Sequence, residues 1–231
     1  MSDIPPATGG TDQETFMARV RDALGQKTTS APTPPLIDES LVRLCGPGDD
    51  RLALFETHAQ QVGMNVQRVS DDGLVAAITG RLKEGGAKSV AVGIAEPSLA
   101  ASVHDALKQC NITVYDWPNQ PDVDGLFDVH AGITDVHAAL AETGTLICCG
   151  DETHGRCLSL VPPVHLAIVR GGDVLPDMID YWRSFSSGDD AAPASSISLI
   201  TGPSKTADIE GELITGVHGP KEVWIYLVEE G

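Results

Sequence analysis

Ser89-Val90-Ala91-Val92-Gly93, then Pro97-Ser98-Leu99-Ala100-Ala101-Ser102-Val103-His104-Asp105-Ala106-Leu107-Lys108, then Ile112-Thr113-Val114-Tyr115 is the stretch that decides the fold. The first segment is a short, uninterrupted run of small and β-branched apolar residues, the pattern of a strand buried on both faces. The second opens with a proline at the first helical position and carries Leu99, Val103 and Leu107 on one face, as an amphipathic helix does. The third is again extended. Strand, helix and strand in about 27 residues form a crossover unit, and such a unit joins parallel strands.

The same alternation extends outward. Residues 52–62 read as a helix, 65–69 as a strand and 73–84 as a helix. Beyond the central unit, 137–149 and 164–169 read as strands, 174–185 as a helix, and 196–200 and 222–228 as strands. The expected fold class is therefore α/β, a three-layer α/β/α arrangement around a mostly parallel sheet. Ahead of it, residues 1–35 form an expected extension: a disordered start, one helix over 11–25 with Phe16, Met17, Val20 and Leu24 at helical spacing, and a proline-rich linker over 26–35. The main domain is expected over 36–231.

Thirty-three acidic residues against 15 basic ones give a net charge of -18, a field that repels phosphate backbones and anionic headgroups. Nucleic acid is not an expected partner. Membrane insertion is not expected either, because no apolar run approaches the roughly 20 residues that cross a bilayer. The beginning of the chain lacks the basic and apolar regions of a secretory signal, so a cytoplasmic location is the expectation. The five cysteines, Cys45, Cys110, Cys148, Cys149 and Cys157, are an odd number in a chain too large to need staples, and are expected as thiols.

Two polar loops stand out. Thr201-Gly202-Pro203-Ser204-Lys205-Thr206 only imitates a phosphate-binding loop, since Ser204 stands where the glycine before the lysine belongs. A helix starting near Thr206 would turn its free N-H groups, with Lys205, toward an anion. The same residues also suit a plain turn before a capped helix, with Asp208 and Glu210 complementing its dipole. In Ala141-Glu142-Thr143-Gly144-Thr145, Glu142 is either a partly buried carboxylate available as base or nucleophile, or the exposed member of a hairpin turn whose Gly144 supplies a positive φ.

Metal chemistry has weaker grounds. Cys148 and Cys149 are adjacent, so on a strand they point to opposite faces, and Cys157 and His154 complete no chelating spacing. Asp128-Val129-His130 and Asp135-Val136-His137 would each place an aspartate and a histidine on one face, which fits either a metal or a polar edge. No metal-ligand set is expected.

Five segments carry a family resemblance: Gly132-Ile133-Thr134, Ala141 to Leu146, Ser159-Leu160-Val161-Pro162-Pro163-Val164-His165, Thr201 to Glu210, and Gly216-Val217-His218-Gly219-Pro220. In this order, over about residues 40–231, they resemble the LUD-domain family. The resemblance implies a fold similar to the NagB/RpiA/CoA-transferase-like superfamily. It implies a role in oxidising L-lactate to pyruvate beside partner subunits that carry iron-sulfur clusters, with no cofactor of the chain's own. The chain departs from the pattern at Asp151-Glu152-Thr153-His154, which looks like an insertion, and at Cys148-Cys149.

Two functional classes follow. The chain is expected to be a subunit of a lactate-oxidising system, binding a small anion or a partner protein. The alternative is a stand-alone enzyme in which Glu142 acts like the carboxylate nucleophile of CoA transferases. Either way the expected site joins Glu142 and His218 as catalytic groups. Thr143, Gly144, Thr145, Gly202, Pro203, Ser204, Lys205, Thr206, Asp208 and Gly219 are its expected ligand-binding residues, all converging at the ends of the strands.

Overall fold

Local chemistry starts each helix. In the computed structural model, which describes residues 12–25, 38–46, 48–117, 124–187, 194–209 and 212–229, α1 (Gln13–Ala23) is capped by Asp12, whose carboxylate accepts the Thr15 N-H. The chain divides into two units, 1–42 and 43–231. In the first, α1 buries none of its residues, and the expected disordered start and the whole of the expected linker lie outside the described residues.

In the second unit, α2 (Arg51–Gln61) is capped by Asp50, which accepts from the Leu52 and Ala53 N-H groups. After β1 (Asn65–Val69), Ser70 caps α3 (Asp71–Glu84), and Asp71 and Asp72 in its first turn meet the positive end of the helix dipole. Then come β2 (Ser89–Gly93), α4 (Pro97–Gln109) with its proline in the first turn, β3 (Thr113–Asp116) and β4 (Ala131–Asp135). A hairpin of β5 (Ala138–Leu140) and β6 (Thr145–Gly150) precedes β7 (Val164–Arg170), β8 (Val174–Leu175) and α5 (Met178–Ser187). The chain continues through β9 (Ser196–Ile200), β10 (Lys205–Ile209), β11 (Glu212–Thr215) and β12 (Glu222–Val228).

The central sheet has the order β1-β12-β7-β4-β2-β3, and every neighbouring pair in it is parallel. One face is covered by α3 and α4: Leu74, Ile78, Val103 and Leu107 pack on Val90, Val92, Ile133, Leu166, Ile168 and Tyr226. Each such apolar side chain contributes about 1.5–3 kcal/mol on burial, so this face is a main source of stability. The other face meets α2 through Phe55 and Ala59, and meets the hairpin through Ala139, Ala141 and Leu146. The second covering layer is thus part helix and part small sheet, in which β8, β5, β6 and β9 lie side by side. The three-layer expectation holds with that addition.

Two expectations need correction. Residues 174–185 are not one helix: Val174 and Leu175 pair with Ala139 and Leu140 as β8, Pro176 follows, and Asp177 caps α5 by accepting from the Ile179 and Asp180 N-H groups. No helix begins near Thr206 either. Residues 205–209 are a strand, with Lys205 opposite Thr215 and Thr206 opposite Ile214. The first segment pairs with β5 far back in the chain and the second with the adjoining β11, and local capping signals register neither.

The β5–β6 turn shows how tightly the second layer is built. Gly144 has φ +64, and a Cβ there would stand 2.2 Å from the Ala59 nitrogen of α2. Gly86, at φ +65, has open space around the same position. Gly86→Ala should therefore cost only the left-handed backbone term, about 1–2 kcal/mol. Gly144→Ala adds a backbone clash and should cost about 3 kcal/mol or more, read as the difference in urea unfolding free energy between the two variants.

Candidate functional site

The path of the chain marks a crevice. From β2 it moves outward to β3, then returns to the other side of β2 as β4 and proceeds to β7 and β12. In an open parallel sheet, the carboxyl ends of two strands from which the chain departs in opposite directions leave a gap where ligands bind. Here those strands are β2 and β4.

Asp135 is the last residue of β4, and its carboxylate accepts the N-H of Ala95, just past β2, at 3.1 and 3.3 Å. His154, in the loop after β6, places Nε2 against the same carboxylate and Nδ1 at 3.0 Å from Asp151. Asp151 in turn accepts from the backbone N-H groups of Thr153 at 2.8 Å and His154 at 2.7 Å, which fixes the loop. The loop and the 3-10 turn Arg156–Ser159 lie directly on the sheet. A Cβ on Gly132 of β4 would stand 2.0 Å from the Leu158 carbonyl oxygen, so only glycine permits this contact. The resulting pocket has a volume of about 260 Å³ and is also lined by Thr134, Cys148, Cys149, Arg156 and Ser159.

Burial opposes a charge on His154. The hydrogen bonds and negative charge of Asp135 and Asp151 outweigh it and hold the imidazole up at about 8, so the ring is an imidazolium at neutral pH. Burial likewise works to raise Asp151, but the N-H groups of His154 bring it below the usual aspartate range. Behind the pocket wall, His165 is fully buried with Nε2 2.9 Å from the Thr134 hydroxyl, and burial alone pushes it down to about 4. Burial also pushes the Cys148 thiol to about 12 and raises Cys149, whose sulfur is 3.8 Å from the Tyr181 hydroxyl. Neither thiol is a ready nucleophile.

Residues 52–228 match the family model described as LUD domain. The chain belongs to the LUD-domain family. It is 26% identical to the lactate utilization protein C of Bacillus subtilis, over 95% of this chain and 97% of that one. It is 32% identical to the protein of the same name from Geobacillus thermodenitrificans over 59% of each chain. The crystal structure of a DUF162 family protein from Deinococcus radiodurans superposes with a TM-score of 0.59 at 23% identity, over 84% of this chain and 99% of that one, and so shares its fold.

The expected catalytic and ligand-binding residues lie in three places, whereas Thr134 and Ser159 of the other LUD-like segments line the crevice. Glu142, Thr143 and Thr145 line a cleft of about 270 Å³ with Thr201, and their hydroxyls form a chain: Thr143 to Thr145 at 2.6 Å and Thr145 to Thr201 at 2.8 Å. Glu142 sits in the β5–β6 turn, half-buried, with its N-H donated to Pro176. Ser204 accepts the His218 N-H at 3.2 Å and lies against Gly219, which makes a second cluster of turn contacts. Lys205 is the third: its ammonium donates to the Val62 carbonyl at 2.8 Å, closing the end of α2, while Gly202 packs on that same carbonyl and Pro203 beside Gly63. Thr206 is a strand residue, and the side chain of Asp208 lies outside the described residues. None of these expected site residues lines the β2–β4 crevice.

Asp135 and His154 were both visible in the sequence, the first as half of an aspartate-histidine pair and the second inside the insertion-like segment. The structure pairs them with each other. His137 instead meets Tyr181 edge-on, and His130 meets Ser89. Among the described residues no group of three or more histidine, cysteine or acidic side chains is arranged to hold a metal ion.

A histidine held at about 8 in the folded state, against 6.5 unfolded, adds stability that is complete below about pH 6.5 and is lost as pH rises through about 8. Imidazole NMR titration should place the His154 midpoint near 8. Denaturant stability should decline across that window, and His154→Gln should flatten the decline.

Proposed function

We propose that this LUD-domain protein serves lactate utilization as a subunit that works with iron-sulfur proteins in oxidising L-lactate to pyruvate, with its small anionic ligand in the β2–β4 crevice. The name shared by relatives that match along nearly their whole length supports the pathway. The observation that carries the assignment to this crevice is the Asp135–His154–Asp151 constellation at the carboxyl ends of the strands. Removing two electrons from lactate also releases two protons. Iron-sulfur clusters of the partners would take up the electrons. Asp135 is placed to accept a proton, and the imidazolium beside it holds its carboxylate in position and balances its charge.

The alternative, CoA-transferase-like chemistry at Glu142, is favoured by the separate cleft that Glu142 shares with Thr143, Thr145 and Thr201. The two readings differ in which carboxylate matters. In a strain lacking this gene, complementation with Asp135→Asn should lower lactate-dependent oxygen uptake by about 100-fold or more, the usual contribution of a positioned acid or base, while Glu142→Gln should leave it near wild type. Loss with Glu142→Gln and retention with Asp135→Asn would transfer the function to the other cleft.

A further inference from the structure

Most arginines of unit 43–231 are neutralised by carboxylates of the same unit. In unit 43–231, Arg43, Arg68, Arg81, Arg170 and Arg183 each pair with at least one carboxylate, and Arg51 donates to the Val174 carbonyl. Arg156 does neither among the described residues, although the chain carries 33 acidic side chains. It lines the β2–β4 crevice from a 3-10 turn that is well anchored. The Ser159 hydroxyl donates to the Arg156 carbonyl at 3.2 Å, and Leu158 is fully buried beneath.

We infer that the crevice is built for a small 2-hydroxy monocarboxylate, with the carboxylate on Arg156 and the hydroxyl donated to Asp135, and that it discriminates against the matching 2-oxo acid. The inference deepens the lactate reading above and rests on it for the pathway, but its chemistry comes from the donors and acceptors in the pocket. A guanidinium is the natural partner of a carboxylate, to which it offers two parallel N-H groups. Asp135 is an acceptor only. Its oxygens already take the Ala95 N-H and the His154 ring, and the lone pairs left over suit one further donor.

A hydroxyl supplies that donor, whereas a keto oxygen would set acceptor against acceptor. His154 cannot relieve the conflict, because both of its ring nitrogens are engaged by carboxylates. The charges of Asp135, Asp151, His154 and Arg156 sum to zero. Without Arg156, an anion would enter a pocket of net negative charge. A volume of about 260 Å³ lies at the small end of ligand sites and suits an acid of a few heavy atoms.

The test is calorimetric titration of the full chain with L-lactate, pyruvate and propionate, the last being lactate without its hydroxyl. L-lactate should bind at least about tenfold more tightly than either of the others. Arg156→Gln, at an exposed position, should weaken all three acids about tenfold or more without moving the unfolding midpoint. Asp135→Asn should bring L-lactate and propionate to the same affinity, since it removes the acceptor that only the hydroxyl uses. Pyruvate or propionate binding as well as L-lactate, undiminished binding to Arg156→Gln, or no L-lactate binding up to about 10 mM would each overturn the inference. Growth of the gene-deleted strain on lactate reports separately on the pathway. A chain needed for growth that does not select L-lactate refutes this inference alone, and one that selects L-lactate but is dispensable refutes the functional reading alone.

Discussion

The Asp135 carboxylate ties together three parts of the chain that are remote in sequence. It ends β4, accepts the amide that follows β2, and receives the His154 ring from the loop after β6. It is the side-chain tie of the loop 151–155 to β4, beside the backbone packing of Thr153 on Gly93 of β2. The contact is also inexpensive in desolvation for a charged group. The carboxylate is half-buried, faces an imidazolium and takes a backbone donor, so few of its lone pairs are left without a partner.

Charge is arranged around that point with some economy. A net charge of -18 favours solubility but works against anion binding, and most guanidiniums are spent on nearby carboxylates: Arg68 on Glu56 and Glu229, Arg170 on Asp71 and Glu96, Arg43 on Asp177 and Asp180. These pairs hold the ends of elements in the main unit. Arg156 stands apart because its turn carries it to the pocket mouth instead. The Lys205 ammonium, by contrast, is occupied in closing the C-terminal end of α2.

Much of the fold was legible because short β-branched and apolar runs bounded by turn residues announce strands locally, whether buried or half-exposed. Residues 65–69, 89–93, 196–200 and 222–228 were read at the limits they have in the structure. The failures differ in cause. Val174 belongs to a strand whose partner β5 lies far back in the chain, which helical spacing cannot reveal, whereas Lys205 opens an antiparallel pair with the next strand, β11, that the capping pattern of 204–210 obscured. Glu142 and Lys205 stand out in the sequence as polar residues among apolar ones; in the structure Glu142 lines the cleft beside Thr201, and the Lys205 ammonium donates to the Val62 carbonyl at the end of α2. Asp135 and His154 are 19 positions apart, and only the β5–β6 hairpin between them returns the chain to the end of β4. A strand ending in aspartate at a change of chain direction is the signal that could have located them.

The central claim is that the ligand site of this LUD-domain protein lies between the ends of β2 and β4, and not in the Glu142 cleft. A crystal structure of the full chain grown with L-lactate tests it most directly. The account predicts lactate bound between Ala95, Asp135 and Arg156, with its carboxylate on the guanidinium. Lactate seated beside Glu142 and Thr201, with the β2–β4 crevice holding only water, would contradict it.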